Sequence, residues 1–527
     1  MAVFNRAFTF DGVTDLSIPQ YRTSVNWDGG FASWVSFFEP TPANTHNLTI
    51  NLVGADWYMQ TLRFSGDSTM NVTLRDLDSD AERRIQFVDL GDNAIVDLSR
   101  TRIDVLRGFG HDYDISYGAT NSDLVRLGGD GDRSLTLADG GRISTVQMDG
   151  GTSTIDLQGS SRVFLMKLDF SVNNVTTGSG NLESFYAYES RNTLHFGTGG
   201  VSQVTLSGDG GLQRITSDGY LGALQIYDDN RAIVVLNDFA GSIRTSSGND
   251  RIFTSLGVDS IVTRDGNDVV NSGDGYIGFV STGNGNDIVR FGAEGIGLTQ
   301  GGNDDDKFII DTMVADGGGR ISGGNGTDEL NFQRLGTAAV EFTLESTGFQ
   351  QVGLGFLAVN SIERITTANG DDDIIGNFRD NRIVLNGGKD RANGGDGDDD
   401  ILGGGGSDTL NGGGGEDRLL GGDANDFLNG GAGDDILIGE AGSDRFIFTI
   451  DSGTDIVIDF TTTGGESDRL VLDQQLWAGT KTAAEVVADH AFVASNGAVV
   501  LDFGSEGRLI LSDYGTLQGL AGQIDFL

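Results

Sequence analysis

Between Gly394 and Ile447 the chain consists of six nine-residue units laid end to end: GGDGDDDIL, GGGGSDTLN, GGGGEDRLL, GGDANDFLN, GGAGDDILI and GEAGSDRFI. Each follows G-G-x-G-x-D-x-U-x, where U is a large apolar residue, with lapses at Ala424 and Glu440. A flexible Gly/Asp-rich linker needs neither this strict register nor an apolar residue at every eighth position. Each unit can form a turn and a very short strand that sends one side chain inward and stacks on its neighbours.

The spacing dictates the chemistry. Glycines allow the backbone positive φ, so that a turn can present its carbonyls to a cation. They stand at Gly394, Gly395, Gly397, Gly403, Gly404, Gly406, Gly412, Gly413, Gly415, Gly421, Gly422, Gly430, Gly431 and Gly433. The sixth-position acids are Asp399, Asp408, Asp417, Asp426, Asp435 and Asp444, and the inward residues are Ile401, Leu410, Leu419, Leu428, Leu437 and Phe446. Two units make a coil of eighteen residues, which stacks Asp399, Asp417 and Asp435 along one edge and Asp408, Asp426 and Asp444 along the other. Carboxylate and carbonyl oxygens from successive loops suit Ca²⁺ rather than a soft metal. Without a cation the stacked carboxylates repel, so this roll is expected to fold as calcium binds. Asp417 faces a neighbour on either side, whereas Asp444 is expected to end its stack.

Degenerate units precede this block. ANGDDDIIG places Asp372 at the acid position, GNFRDNRIV places Asn381 there, and a shortened GGKDRAN leads into Gly394. Farther upstream the same reading gives Asp250, Asp259, Asp268, Asp287, Asp306 and Asp328. Asp250, Asp268, Asp287 and Asp306 are separated by 18, 19 and 19 residues. Continued backwards, a period of 18 to 21 runs through Asp229, Asp209, Glu189, Asp169, Asp149, Asp130, Asp112 and Asp92. Apolar pairs such as Leu135 and Leu137, Ile155 and Leu157, and Leu194 and Phe196 travel with it. Two short inward-facing strands per period predict a parallel β-solenoid. Its early rungs lack clustered glycines, so acids such as Asp149 and Asp209 are expected to be turn residues and not ligands.

These motifs resemble the RTX (repeats-in-toxin) proteins exported by type I secretion. The resemblance covers 368–447, extends in degenerate form over 245–331 and more loosely from 448 to the end, and says little about 1–240. It implies an all-β fold, a β-helix passing into a β-roll that binds several Ca²⁺ ions, and an uncleaved C-terminal secretion signal. The final LQGLAGQIDFL is similar to such signals. It also implies an extracellular or cell-surface location on a Gram-negative bacterium. The predicted divisions are a β-rich aromatic N-terminal cap at 1–91, a calcium-poor solenoid at 92–240 and a degenerate calcium roll at 241–331. An insertion at 332–367, the regular roll at 368–447 and a C-terminal cap with the secretion signal at 448–527 complete them.

Composition fits this scheme. The 527 residues are too many for one compact core. With no cysteine, disulfides are excluded. The net charge of −43 makes nucleic acid and anionic membranes poor partners; about a dozen Ca²⁺ ions would offset roughly half of it. The N-terminus lacks a basic segment followed by an apolar run, so no classical signal peptide is expected, and no stretch is apolar enough to span a bilayer. All three prolines and Trp27, Trp34 and Trp57 fall in 1–91, consistent with a solenoid cap or a contact domain.

No H-E-x-x-H and no G-x-S-x-G occurs, and none of His46, His111, His195 and His490 has a second histidine at metal-ligand spacing. The chain is therefore expected to be no enzyme. Two readings remain. One is a secreted structural protein that folds on meeting external calcium and associates with itself into a sheet or filament. Surface-layer proteins of some Gram-negative bacteria share this plan. The other is a secreted glycan-binding or glycan-active protein that works through the 92–240 solenoid. Expected partners are the chain itself, a cell-surface glycan in the second reading, and the type I export machinery.

Overall fold

Apolar residues recur in pairs two apart, once per short strand, and each pair can bury only by stacking on the same pair a coil later. The structure, a computed structural model, does this throughout. It describes residues 102–527 except 209–210, 313–317, 345–347, 353–354, 463–464 and 466; before 102 it describes the strands alone, together with residue 91. The chain divides into two units, Met1–Asp265 and Gly266–Leu527, and each is a parallel β-solenoid.

In the N-terminal unit each coil from Ala94 onwards contributes two strands, whereas His46–Ser65 is one continuous strand that pairs along both faces. One face stacks Leu135, Ile155, Val175, Leu194, Ile215, Val234 and Ile252 in parallel register. The opposite face stacks Val125, Val146, Met166, Phe185, Val204, Leu224, Ile243 and Ile261. All of these side chains are buried. Parallel pairing begins well before residue 92: Ala7 is already in register with Asn26, and Ser24 with Thr49. The coils thus extend into the segment assigned to a separate cap. The side chains of Trp27, Trp34 and Trp57 lie outside the described residues.

In the C-terminal unit the nonapeptides form the expected eighteen-residue coils. Ile401, Leu419 and Leu437 stack on one face, and Leu410, Leu428 and Phe446 on the other. Segment 332–367 is not a spacer outside the stack. Its strands Gly355–Asn360 and Arg364–Thr366 continue the preceding coil, pairing with Gly318–Asn325 and Glu329–Asn331. Its strand Glu341–Thr343 opens a separate eight-stranded sheet that runs to Ile524–Phe526. The second edge of the roll therefore starts inside this segment.

Beyond the nonapeptides the coils persist through Thr454–Val457 and Arg469–Leu472. The chain then forms the helix Ala483–His490, whose Thr482 and Glu485 make a reciprocal capping box. An antiparallel meander of Ala491–Val493, Val499–Asp502 and Arg508–Leu511 follows. Trp477 packs against His490, Phe503 and Phe526, which closes this end of the core. Among the described residues no helix is long and apolar enough to cross a membrane.

Candidate metal centre

Two residues before each core residue of one face lies a buried polar position, and its identity sets the chemistry of each coil. In the C-terminal unit it is held by Asp268, Asp287, Asp306, Asp328, Glu363, Asn381, Asp399, Asp417, Asp435 and Asp455. The other edge of the roll carries Asp372, Asp390, Asp408, Asp426, Asp444 and Asp468, all buried.

Each carboxylate divides its work between its two oxygens. Asp417 Oδ1 accepts the amide of Asp399 at 2.8 Å, and Asp435 Oδ1 accepts that of Asp417 at 2.9 Å. On the other edge Asp408, Asp426 and Asp444 accept from Asp390, Asp408 and Asp426 at 2.9, 2.8 and 2.9 Å. The second oxygen is buried and has no protein partner at Asp306, Asp328, Asp390, Asp399, Asp408, Asp417, Asp426, Asp435 and Asp455. A lone desolvated carboxylate oxygen is costly, so its repetition at fixed intervals marks a place for a cation.

The first glycine of each nonapeptide explains how that oxygen is aimed. A Cβ on Gly394 would lie 2.0 Å from Asp399 Oδ2 and 2.6 Å from the Gly412 carbonyl oxygen. The same clash recurs at Gly412 with Asp417 and Gly430, and at Gly430 with Asp435. Glycine here keeps open a cradle lined by a carboxylate and a carbonyl of the next coil. Among the described residues no point gathers three or more acidic or imidazole side chains. Each cradle is thus a site of few carboxylates completed by backbone oxygens, a donor set that fits Ca²⁺. The residues that would hold it are the stacked aspartates and the glycine carbonyls, and the ion would supply the charge that the unpartnered oxygens lack.

Electrostatics agree. Burial raises the Asp399 carboxyl to about 7; the Asn381 amide opposes this, and the stacked Asp417 adds to it. Burial likewise lifts Asp417 and Asp426 to about 7, with Asp435 and Asp444 respectively among the repelling neighbours. Asp306 and Asp455 are pushed to about 8 for the same reasons.

The structure corrects several sequence readings. Asp259 belongs to neither ladder: the strand Gly257–Asp265 buries Val258 and Ile261 and leaves Asp259 exposed, so its D-x-U match is accidental. Asp444 does not end its stack, because its amide donates to Asp468 Oδ1 at 2.9 Å. Asp435 continues to Asp455 at 3.2 Å. Asp390, Asp455, Asp468 and Glu363 were all missed. Glu363 accepts the Asp328 amide at 3.0 Å and pairs with Arg379. At that rung a guanidinium already occupies the carboxylate, and Asn381 on the next coil satisfies itself with Asn377. Asp250, at the end of the N-terminal unit, accepts the Ala232 amide.

Asp229, assigned to the same period as Asp250, lies outside its column, and Asp209 lies outside the described residues. In the N-terminal unit that column reads Arg133, Ser153, Asn173, Asn192, Gln213 and Ala232 before Asp250. Asn173 donates to Asn192 at 2.8 Å and Asn192 to Gln213 at 2.7 Å, a buried amide ladder that satisfies itself. Arg133, 2% exposed, donates to the carbonyls of Gly129 and Gly150 on successive coils.

Residues 244–276, 366–401, 375–410, 384–419 and 411–446 match the family profile of the RTX calcium-binding nonapeptide repeat. The chain carries RTX calcium-binding repeats. The matched RTX segments hold Asp250 and both edges of the regular roll, where the geometry places the cradles. No curated protein sequence matches the chain. Among solved structures it is similar to the extracellular lipase LipA from Serratia marcescens at 18% identity and a TM-score of 0.19, covering 56% of this chain. The match spans 45% of the lipase, and a likeness this slight carries no argument.

Proposed function

We propose that this is a secreted RTX structural protein whose C-terminal unit folds on external calcium and which then associates with itself at the cell surface, as a layer or matrix component. The carrying observation is the buried Oδ2 repeated at Asp399, Asp408, Asp417, Asp426 and Asp435, which no protein donor meets. A compartment with millimolar calcium suits exposed loops of this kind. Export by the type I route and the absence of a catalytic role belong to the same proposal.

Association is supported by aromatic side chains that the N-terminal unit leaves on its surface. Tyr220 and Phe239 stack at 6.4 Å, and Phe170 packs edge-on against Tyr188 at 5.7 Å, with all four rings exposed. Electron microscopy of the purified protein, with millimolar calcium and with chelator, tests the proposal. Ordered sheets or filaments only with calcium are expected; persistent monomers in calcium would sink the assembly reading. A second reading, glycan binding by the N-terminal solenoid, is favoured by an arginine-bearing groove on that unit.

A further inference from the structure

The groove follows from strand register. In the N-terminal unit Asn121 pairs with Arg142 and Arg142 with Arg162, while Asn181 extends the same column one coil on and Arg102 one coil back. Neighbouring strands lie about 4.8 Å apart, so three guanidinium groups line up along the stacking direction. All five side chains are exposed. No ion pair to a described residue is found for Arg142 or Arg162, and Arg102 has a distant one, 3.9 Å to Asp104. In a chain with 34 bases against 77 acids this is an unusual concentration of cations.

Two residues farther along the strands, on the same outward face, runs a second column of Asp123, Ser144, Phe164 and Glu183. The two columns line a groove of about 460 Å³. Phe164 is 66% exposed within it, although an aromatic ring this size normally finds cover.

We infer that this groove binds a carboxylate-bearing polysaccharide lying along the solenoid axis, and the inference rests on the glycan-binding reading. Guanidinium groups bind carboxylates in a two-pronged fashion. A row of them, with Arg142 and Arg162 one strand spacing apart and Arg102 two spacings from Arg142, matches an extended sugar chain with an acid on successive or alternate units. Phe164 offers an apolar face to a pyranose ring. Asp123 and Glu183 accept hydrogen bonds from sugar hydroxyls. A nucleic acid, with a phosphate on every unit, is opposed by the same two acids and by the net charge of −43.

The test is equilibrium binding of the full-length protein, in millimolar calcium, to three hexasaccharides. These are a hexauronate, the same oligomer with its carboxyls reduced to alcohols, and a neutral hexaglucan; all are too short to gel. Binding of the hexauronate alone is expected, weakening with salt. The double variant Arg142→Gln/Arg162→Gln should weaken it about tenfold or more. Arg142→Lys/Arg162→Lys should retain part of the affinity, and Phe164→Ala should weaken it independently of salt. All of these side chains are exposed, so the fold is not at stake. Hexauronate binding unchanged in the glutamine variant would overturn the groove assignment and point to calcium bridging instead. Equal binding of all three sugars would overturn the carboxylate inference while leaving the glycan reading standing. Binding of none would overturn both.

Discussion

The buried polar column of the N-terminal solenoid and that of the C-terminal roll solve one problem with opposite chemistry. A coil must turn beside its core, and the turn buries backbone and side-chain polar groups that need partners. In the N-terminal unit Asn173, Asn192 and Gln213 supply one another, and Arg133 brings its own positive charge to the carbonyls of Gly129 and Gly150. In the C-terminal unit Asp399, Asp417 and Asp435 satisfy backbone amides with one oxygen and leave the other without a protein partner. Among Asn173, Asn192 and Gln213 the first arrangement closes without an ion. The second is complete only with a dissolved ion. Amide ladders make stability a property of the chain, and acid ladders make it a property of the surroundings.

The strongest way to break this comparison is chelation. In excess chelator, the strands from Val269–Asn271 to Arg469–Leu472 should lose amide-exchange protection, while those from Asp132–Leu137 to Ala232–Leu236 keep it. Equal loss in both units would end the contrast. Next, Arg133→Met should destabilise the N-terminal unit by about 3 kcal/mol, because two buried carbonyls lose a charged donor. Denaturant unfolding followed in that unit would read this, and it should not depend on calcium.

Within the roll, Asp417→Ala and Asp444→Ala should each lower apparent calcium affinity about tenfold and to similar extents, since each stands between two acids of its edge. Calcium titration followed by circular dichroism decides it; a much weaker effect for Asp444 would restore the stack end predicted from sequence. Acidity sharpens the same contrast. Burial lifts the carboxyls of Asp399, Asp417 and Asp426 from 3.8 to about 7 in the folded roll, so without calcium it holds more protons across that window than the unfolded chain. Its stability should be fullest below about pH 4 and fall as pH rises towards 7. Calcium needs the ionised form, so calcium affinity should instead fall on acidification. Melting temperatures at pH 5 and 8, with and without calcium, should move in opposite directions. The smallest effect concerns Ala424, held at φ 79° where its sister units have glycine. Ala424→Gly should stabilise the calcium-loaded roll by about 1 kcal/mol in thermal unfolding.

How much of this was visible in the chain depended on whether a residue type advertises its role. Asp399 and Ile401 sit in a motif with glycines on one side and an aliphatic on the other, and both fell where the spacing put them. Asp390 was hidden because its unit is shortened and offers only Ala392 to the core. Glu363 was hidden by a coil that spans 35 residues from Asp328. Asn192 and Gln213 carry no motif, since neutral amides are common in turns, and the more conspicuous Asp229 drew the period three residues off its true column. The inward aliphatics kept the period throughout, because their burial leaves no choice of register.

The ladders have one more property, which concerns order in time. In the regular roll the ladder amides point towards the C-terminus: Asp399 leans on Asp417, Asp417 on Asp435 and Asp435 on Asp455. The amides just before them point the other way: Asp398 leans on Asp380 and Glu416 on Asp398, each on the coil before. A stack seeded at Trp477 and the final strand Ile524–Phe526 could grow towards the N-terminus, each arriving coil meeting an acceptor already in place. Growth in the other sense would use the second set, in which Asp380 and Asp398 already stand as acceptors for the amides of Asp398 and Glu416. Adjacent amides thus tie each coil of the roll to both of its neighbours, through one aspartate that reaches back and one that reaches forward.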